Sequence, residues 1–129
     1  MRPVELQDLF APIGPVSVRR MFGGHGIYAD GVIFALESRG VVYLKTDAES
    51  EPAFRAAGSA PFAYGPEPQR VITSYWRMPD EAFEDPDVLL RWSALARAAA
   101  RRFAAAKAQP ARKRAKARGR ARDAGPRGS

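Results

Sequence analysis

Apolar and polar positions along this chain follow two rhythms. Near the start, Leu6, Leu9 and Phe10, with Val4 beside them, recur at helical spacing and mark a short amphipathic helix. Pro12, Gly14 and Pro15 stop it. From residue 16 the rhythm shifts towards a period of two. Residues 16–22 read as a strand, and Gly23-Gly24-His25-Gly26 interrupts it. Ile27-Tyr28-Ala29 then leads into Asp30-Gly31, and residues 32–36 resume the apolar run. Asp-Gly between two apolar runs signals a two-residue hairpin, because the type I′ turn needs positive φ at both positions. A second turn falls at Ser38-Arg39-Gly40, and residues 41–45 form the next strand. The pattern predicts a three-stranded antiparallel meander.

Residues 49–57 read as a short helix, with Ser50 as its cap, Pro52 in its first turn and Gly58 ending it. Phe62-Ala63-Tyr64 is a brief extended piece, followed by the loop Gly65-Pro66-Glu67-Pro68. Residues 70–77, rich in β-branched and aromatic side chains, suit a strand of the same sheet. Met78-Pro79 breaks it, and Asp80 and Asp85 both suit helix caps. Asp85-Pro86 is the stronger signal, since proline is favoured at the first helical position. A long helix then runs over about residues 86–107, with Leu89, Trp92, Ala96, Ala99 and Phe103 stepping by three and four. Acids precede its start and Arg101, Arg102 and Lys107 crowd its end, complementing the helix dipole. The order α-β-β-β-α-β-β-α predicts a two-layer α+β domain over residues 1–108. It has an antiparallel sheet of about five strands with helices on one face.

Charge changes this picture at the C-terminus. Residues 1–96 carry nine Lys/Arg against thirteen Asp/Glu, whereas residues 97–129 carry twelve against one. The body is mildly acidic and the end strongly basic, so electrostatic attraction to nucleic acid belongs to the end. Residues 109–129 hold no large apolar side chain and are expected to be a disordered tail. Arg112, Lys113, Arg114, Lys116, Arg118, Arg120 and Arg122 place seven cations within 11 residues. Such a segment binds polyanions through counterion release and also serves simply as a solvated extension.

The remaining composition narrows the chemistry. Without cysteine, disulfides, thiolate metal sites and cysteine nucleophiles are excluded. No apolar run reaches the ~20 residues that span a bilayer, and no signal-peptide pattern opens the chain, so a cytoplasmic protein without membrane contact is expected. The three glycines at 23, 24 and 26 do not match a phosphate loop. They run between strands rather than into a helix N-terminus, and no Gly-Lys-Ser/Thr follows. A glycine bulge or close crossing fits them better. His25, the sole histidine, has no His or Cys companion and reads as a surface or hydrogen-bonded structural residue. The acids Asp80, Glu81, Glu84, Asp85 and Asp87 lack the spacing of a calcium loop and suit helix starts. No serine lies in a nucleophile elbow. These observations predict no catalytic residue, no metal and no cofactor. Tyr43-Leu44-Lys45 and Tyr75-Trp76-Arg77 set aromatic beside basic residues on strands. They either stack single-stranded bases or pack as core and edge.

Taken in order, Arg20-Met21-Phe22-Gly23-Gly24-x-Gly26-Ile27-Tyr28, Gly31-x-x-Phe34-Ala35 and Tyr43-Leu44-Lys45 resemble the TfoX/Sxy N-terminal domain. The likeness continues through Pro61-Phe62-x-Tyr64, Ser74-Tyr75-x-x-Met78-Pro79-Asp80-Glu81, Glu84-Asp85-Pro86 and Leu89-Leu90-x-Trp92, over about residues 3–105. The resemblance implies a two-layer domain with an antiparallel sheet. It also implies a non-enzymatic regulator of competence for DNA uptake, acting by contact with transcription machinery such as the cyclic-AMP receptor protein. It carries over no catalytic residue, and an aromatic group is common where His25 stands. Full-length competence regulators add a helical C-terminal domain; here the basic segment takes that place. An exposed sheet edge or helix face would allow a dimer. The other reading is a nucleic-acid-associated protein held to DNA or RNA by its basic end.

Overall fold

A computed structural model describes residues 1–21 and 23–108. Helix α1 (Pro3–Leu9) is followed by a 3-10 turn at Ala11–Ile13 and then by four strands, β1 (Ser17–Met21), β2 (Gly24–Ala29), β3 (Val32–Ser38) and β4 (Val41–Lys45). Helix α2 (Glu51–Ala56), strands β5 (Pro61–Tyr64) and β6 (Arg70–Arg77), a 3-10 turn at Asp80–Phe83 and helix α3 (Pro86–Ala108) complete it. The six strands form one antiparallel sheet in the order β1-β2-β3-β4-β6-β5. The α+β class and the helix-backed sheet are as the sequence predicts.

The strand count differs for a physical reason. The glycines at 24 and 26 do not interrupt the meander; they lie inside a fourth strand, β2. A Cβ at Gly24 would run into the backbone of Glu37 on β3, and one at Gly26 would meet Met21 Sδ at 2.6 Å and Ile33 Cδ1 at 2.9 Å. Glycine is there because neighbouring strands leave no room, not because the strand ends. Only Gly23, at φ 76°, serves the turn. The Asp30-Gly31 hairpin has φ of 52° and 77°, as the type I′ reading requires, and Arg39-Gly40 repeats it at 53° and 82°.

All three helices cover the same side of the sheet. Leu6 from α1 and Phe10 just beyond its end, Phe54 from α2, and Leu89, Ala96 and Ala100 from α3 close over Ile27, Phe34, Val42, Leu44 and Trp76. Phe10 meets Phe34 edge-on at 5.2 Å, and Phe54 sits 4.8 Å from Trp92. Each fully buried Phe or Leu in this layer contributes about 1.5–3 kcal/mol. The alanines of α3 let the helix lie close to the strands. Phe103 does not join them: it is 49% exposed, because the helical period carries on beyond the end of the sheet.

Two ends are tied by charge. Arg102 donates from Nε and Nη2 to Asp47 at 2.8 and 3.0 Å, and Arg97 Nη2 reaches Asp30 at 2.9 Å. Ser50 does not cap α2 through its side chain as predicted; Asp47 Oδ1 instead accepts the amides of Glu49 and Ser50. Asp85 does cap α3, its Oδ1 accepting the Asp87 amide at 2.9 Å. Among the described residues, no helix is long and apolar enough to cross a membrane.

Candidate functional site

The face of the sheet turned away from the helices carries part of the family-like motif, Met21, Gly26, Tyr28, Tyr43 and Phe62, while Ile27, Phe34 and Leu44 of the same motif lie in the core. Strand register aligns Arg19, Gly26, Leu36, Tyr43 and Arg77 in one row across β1, β2, β3, β4 and β6. Tyr43 extends the row to β5 by contact with Phe62, ring centroids 4.5 Å apart, and Phe62 stacks on Tyr64 at 5.7 Å. In the neighbouring row Tyr28 stands opposite Ile33, and the Arg19 guanidinium lies 5.0 Å over the Tyr28 ring. Met21, Tyr28, Ile33, Leu36, Tyr43 and Phe62 are all half-buried and Tyr64 is exposed. A solvated face of an antiparallel sheet ordinarily reads polar. This one is apolar and aromatic, and its central row carries two arginines and no carboxylate.

Of the two readings left open for the aromatic strands, the structure divides the residues. Trp76 turns into the core with Leu44, its Nε1 donating to the Thr73 carbonyl at 2.9 Å. Tyr43 and Arg77 take the uncovered face. Tyr75 is buried beside Lys45, and its phenol is pushed up to about 12 by burial. Lys45 is itself buried at the end of β4. Arg20 is exposed on β1 opposite His25, and Gly31 serves the hairpin. Phe22 and the seven basic positions Arg112, Lys113, Arg114, Lys116, Arg118, Arg120 and Arg122 lie outside the described residues.

His25 has a partner that the sequence concealed. Its Nδ1 lies 2.6 Å from Oε1 of Glu37, twelve residues on and directly opposite on β3. The other Glu37 oxygen accepts the Gly40 amide at 2.8 Å and the Met1 ammonium at 3.2 Å. Burial pushes the Glu37 carboxyl up, but the hydrogen bonds from His25, Gly40 and the terminal amine outweigh it and hold it below the ordinary range. The carboxylate fixes the orientation of the His25 ring across β2 and β3. Among the described residues, no group of three or more His, Asp or Glu gathers to hold a metal.

The order of the motifs along the fold points one way, and a direct comparison agrees. The family model described as TfoX N-terminal domain matches residues 8–100. The chain belongs to the TfoX N-terminal domain family. No curated protein matches it. The matched span starts within α1 and ends within α3, so it takes in the whole sheet and the helices that back it. In this TfoX N-terminal domain Gly24 and Gly26 of the motif are packing positions between strands, and Gly23 serves the turn. The side chains around them, Met21, Tyr28 and Ile33, build the uncovered face. Sequence reasoning singled out Met21 and Tyr43 and missed Ile33, Leu36 and Phe62 as their neighbours. The signal was available in strands 32–36 and 41–45, where apolar residues fill both alternating sets rather than one.

Proposed function

We propose that this domain is a non-enzymatic regulatory adaptor that acts by protein–protein contact, docking a component of the transcription machinery on its uncovered sheet face. The observation that carries this reading is the continuous row Arg19, Leu36, Tyr43 and Arg77 with Phe62 and Tyr64 beside it. Exposed apolar surface rimmed by polar groups marks contact sites. Aromatic and arginine side chains dominate interface energies. Membership of a family whose founding members regulate competence supports a cytoplasmic partner at competence promoters.

The test is binding of the purified chain to purified cyclic-AMP receptor protein and to RNA polymerase. The contact survives removal of residues 109–129 and weakens about tenfold or more in Leu36→Glu or Tyr43→Glu. No binding to either, or binding indifferent to both substitutions, overturns the reading. The second reading, electrostatic association with nucleic acid through the basic end, is favoured by the seven cations between residues 112 and 122. It predicts DNA binding that disappears in a chain ending at Ala108 and falls steeply with salt.

A further inference from the structure

Beside the end of β4, an open cavity of about 390 Å3 is lined by Lys45, Thr46, Asp47, Ser74 of β6, and Arg102 and Phe103 of α3. Lys45 is only 6% exposed. Its ammonium lies 3.8 Å from the centroid of Phe103 and 4.9 Å from that of Tyr75. Among the described residues it takes part in no hydrogen bond and no ion pair. The Lys107 ammonium lies over the same Phe103 ring at 5.5 Å, and among the described residues it is in no ion pair.

Aromatic rings attract an ammonium but do not accept its protons in hydrogen bonds or cancel its charge. A buried cation in that condition is costly. Burial and the nearby Lys107 both push the Lys45 ammonium down, with Asp47 pulling the other way. Asp47 does not relieve it by contact. That carboxylate is held by Nε and Nη2 of Arg102, which pull it down to about 2, and by the Ser50 amide. Glu49 takes the remaining arm of Arg102 at 3.3 Å. The cavity lining holds Lys45, Asp47 and Arg102, with Glu49 joined to it through Arg102 and Lys107 through the Phe103 ring; among the described residues both carboxylates are engaged with Arg102 and neither lysine is in an ion pair.

An anion would offset these lysine charges, and the donor set selects its class. A planar carboxylate is best matched by the fork of a guanidinium, and here that fork is already occupied. Two ammonium groups are point charges. With the Ser74 hydroxyl on the same wall they suit a tetrahedral, multiply charged group whose several oxygens each take a donor. We propose that Lys45 and Lys107 together bind a phosphate group in this cavity. Phosphate of this kind comes either from a soluble phosphate ester or from a nucleic-acid backbone, and the basic run from Arg112 begins shortly beyond Lys107 in sequence.

The experiment is a residue-resolved NMR titration of the full chain with inorganic pyrophosphate, then with ATP, then with a single-stranded oligonucleotide. Saturable shifts are expected at the amides of Thr46, Ser74 and Phe103. Affinity read at those amides drops about tenfold in Lys45→Met and several-fold in Lys107→Met. Lys107 is exposed, so its variant keeps the fold even where Lys45→Met does not. Shifts confined to residues beyond 108, shifts equal in Lys107→Met and the parent, or no saturable shift overturn the proposal. The two sources separate by rank. An oligonucleotide that outbinds ATP, with a salt slope lowered by about one in Lys107→Met, assigns the site to a backbone phosphate. ATP binding as tightly as the oligonucleotide assigns it to a soluble ester.

Discussion

The two faces of this sheet are made by the same strands, yet they are settled by different constraints. On the covered face Ile27, Leu44 and Trp76 are almost fully removed from water beneath three helices. On the other, Leu36, Tyr43 and Phe62 are large and apolar with no helix above them. Alternate residues of one strand thus divide into a layer that holds the domain together and a layer that holds only itself. The difference teaches that hydrophobicity on a strand is not by itself evidence of core. What matters is whether a second element is available to cover it.

The largest effect should separate the faces outright. Leu44→Ala removes a fully buried side chain and is expected to cost about 3 kcal/mol, whereas Tyr43→Ala, one residue away and turned outward, costs about 1 kcal/mol. Urea unfolding of both checks this; equal losses would mean that the outer face is structural too. Gly26→Ala tests how tightly the outer face packs. An added methyl meets Met21 Sδ and Ile33 Cδ1, so a loss of about 1–3 kcal/mol is expected, partly restored by pairing it with Met21→Ala. Urea midpoints of the single and double variants decide it.

Acid should act on the tethers. Glu37 and Asp47 both have carboxyls held below their ordinary range in the folded chain. The stability they contribute is complete above the unfolded carboxylate range and is lost as pH falls through the folded values, for Asp47 down to about 2. Thermal melts between about pH 5 and pH 2 should fall, and Glu37→Gln should flatten that fall while costing on the order of 1 kcal/mol at neutral pH. The smallest effect belongs to Arg97→Ala. Its partner Asp30 is 87% exposed, so a loss below about 0.5 kcal/mol is expected in the same melts.

Much of the fold was legible because local chemistry and tertiary need agreed. Asp30-Gly31 favours the type I′ turn it adopts, and Asp85-Pro86 favours the cap and first position of the helix it starts. Strand β2 was not legible. Gly24 and Gly26 read as breakers, and the reason for them is the backbone of Glu37 and the tip of Met21, which only the register brings near. Phe103 obeys the helical period yet escapes the core, since periodicity does not say where the sheet below stops. The site was less visible than the fold. His25 and Glu37 are twelve apart, and Lys45 and Phe103 sit on elements distant in sequence. No local pattern encodes either pairing. The family-like motif marked the outer face only in fragments, because its other members are contributed by alternation across five strands.

The strand order has a consequence for how the chain comes off the ribosome. The first four strands are neighbours both in sequence and in the sheet, so they can zip up from hairpins as they emerge. Strand β6 must then find β4 across the whole of α2 and β5, and the lid over the hydrophobic layer, α3, is synthesised last of the described elements. Until it arrives, a nascent sheet presents apolar surface on both sides at once. A domain built in this order carries a two-sided apolar sheet until α3 closes over one face of it.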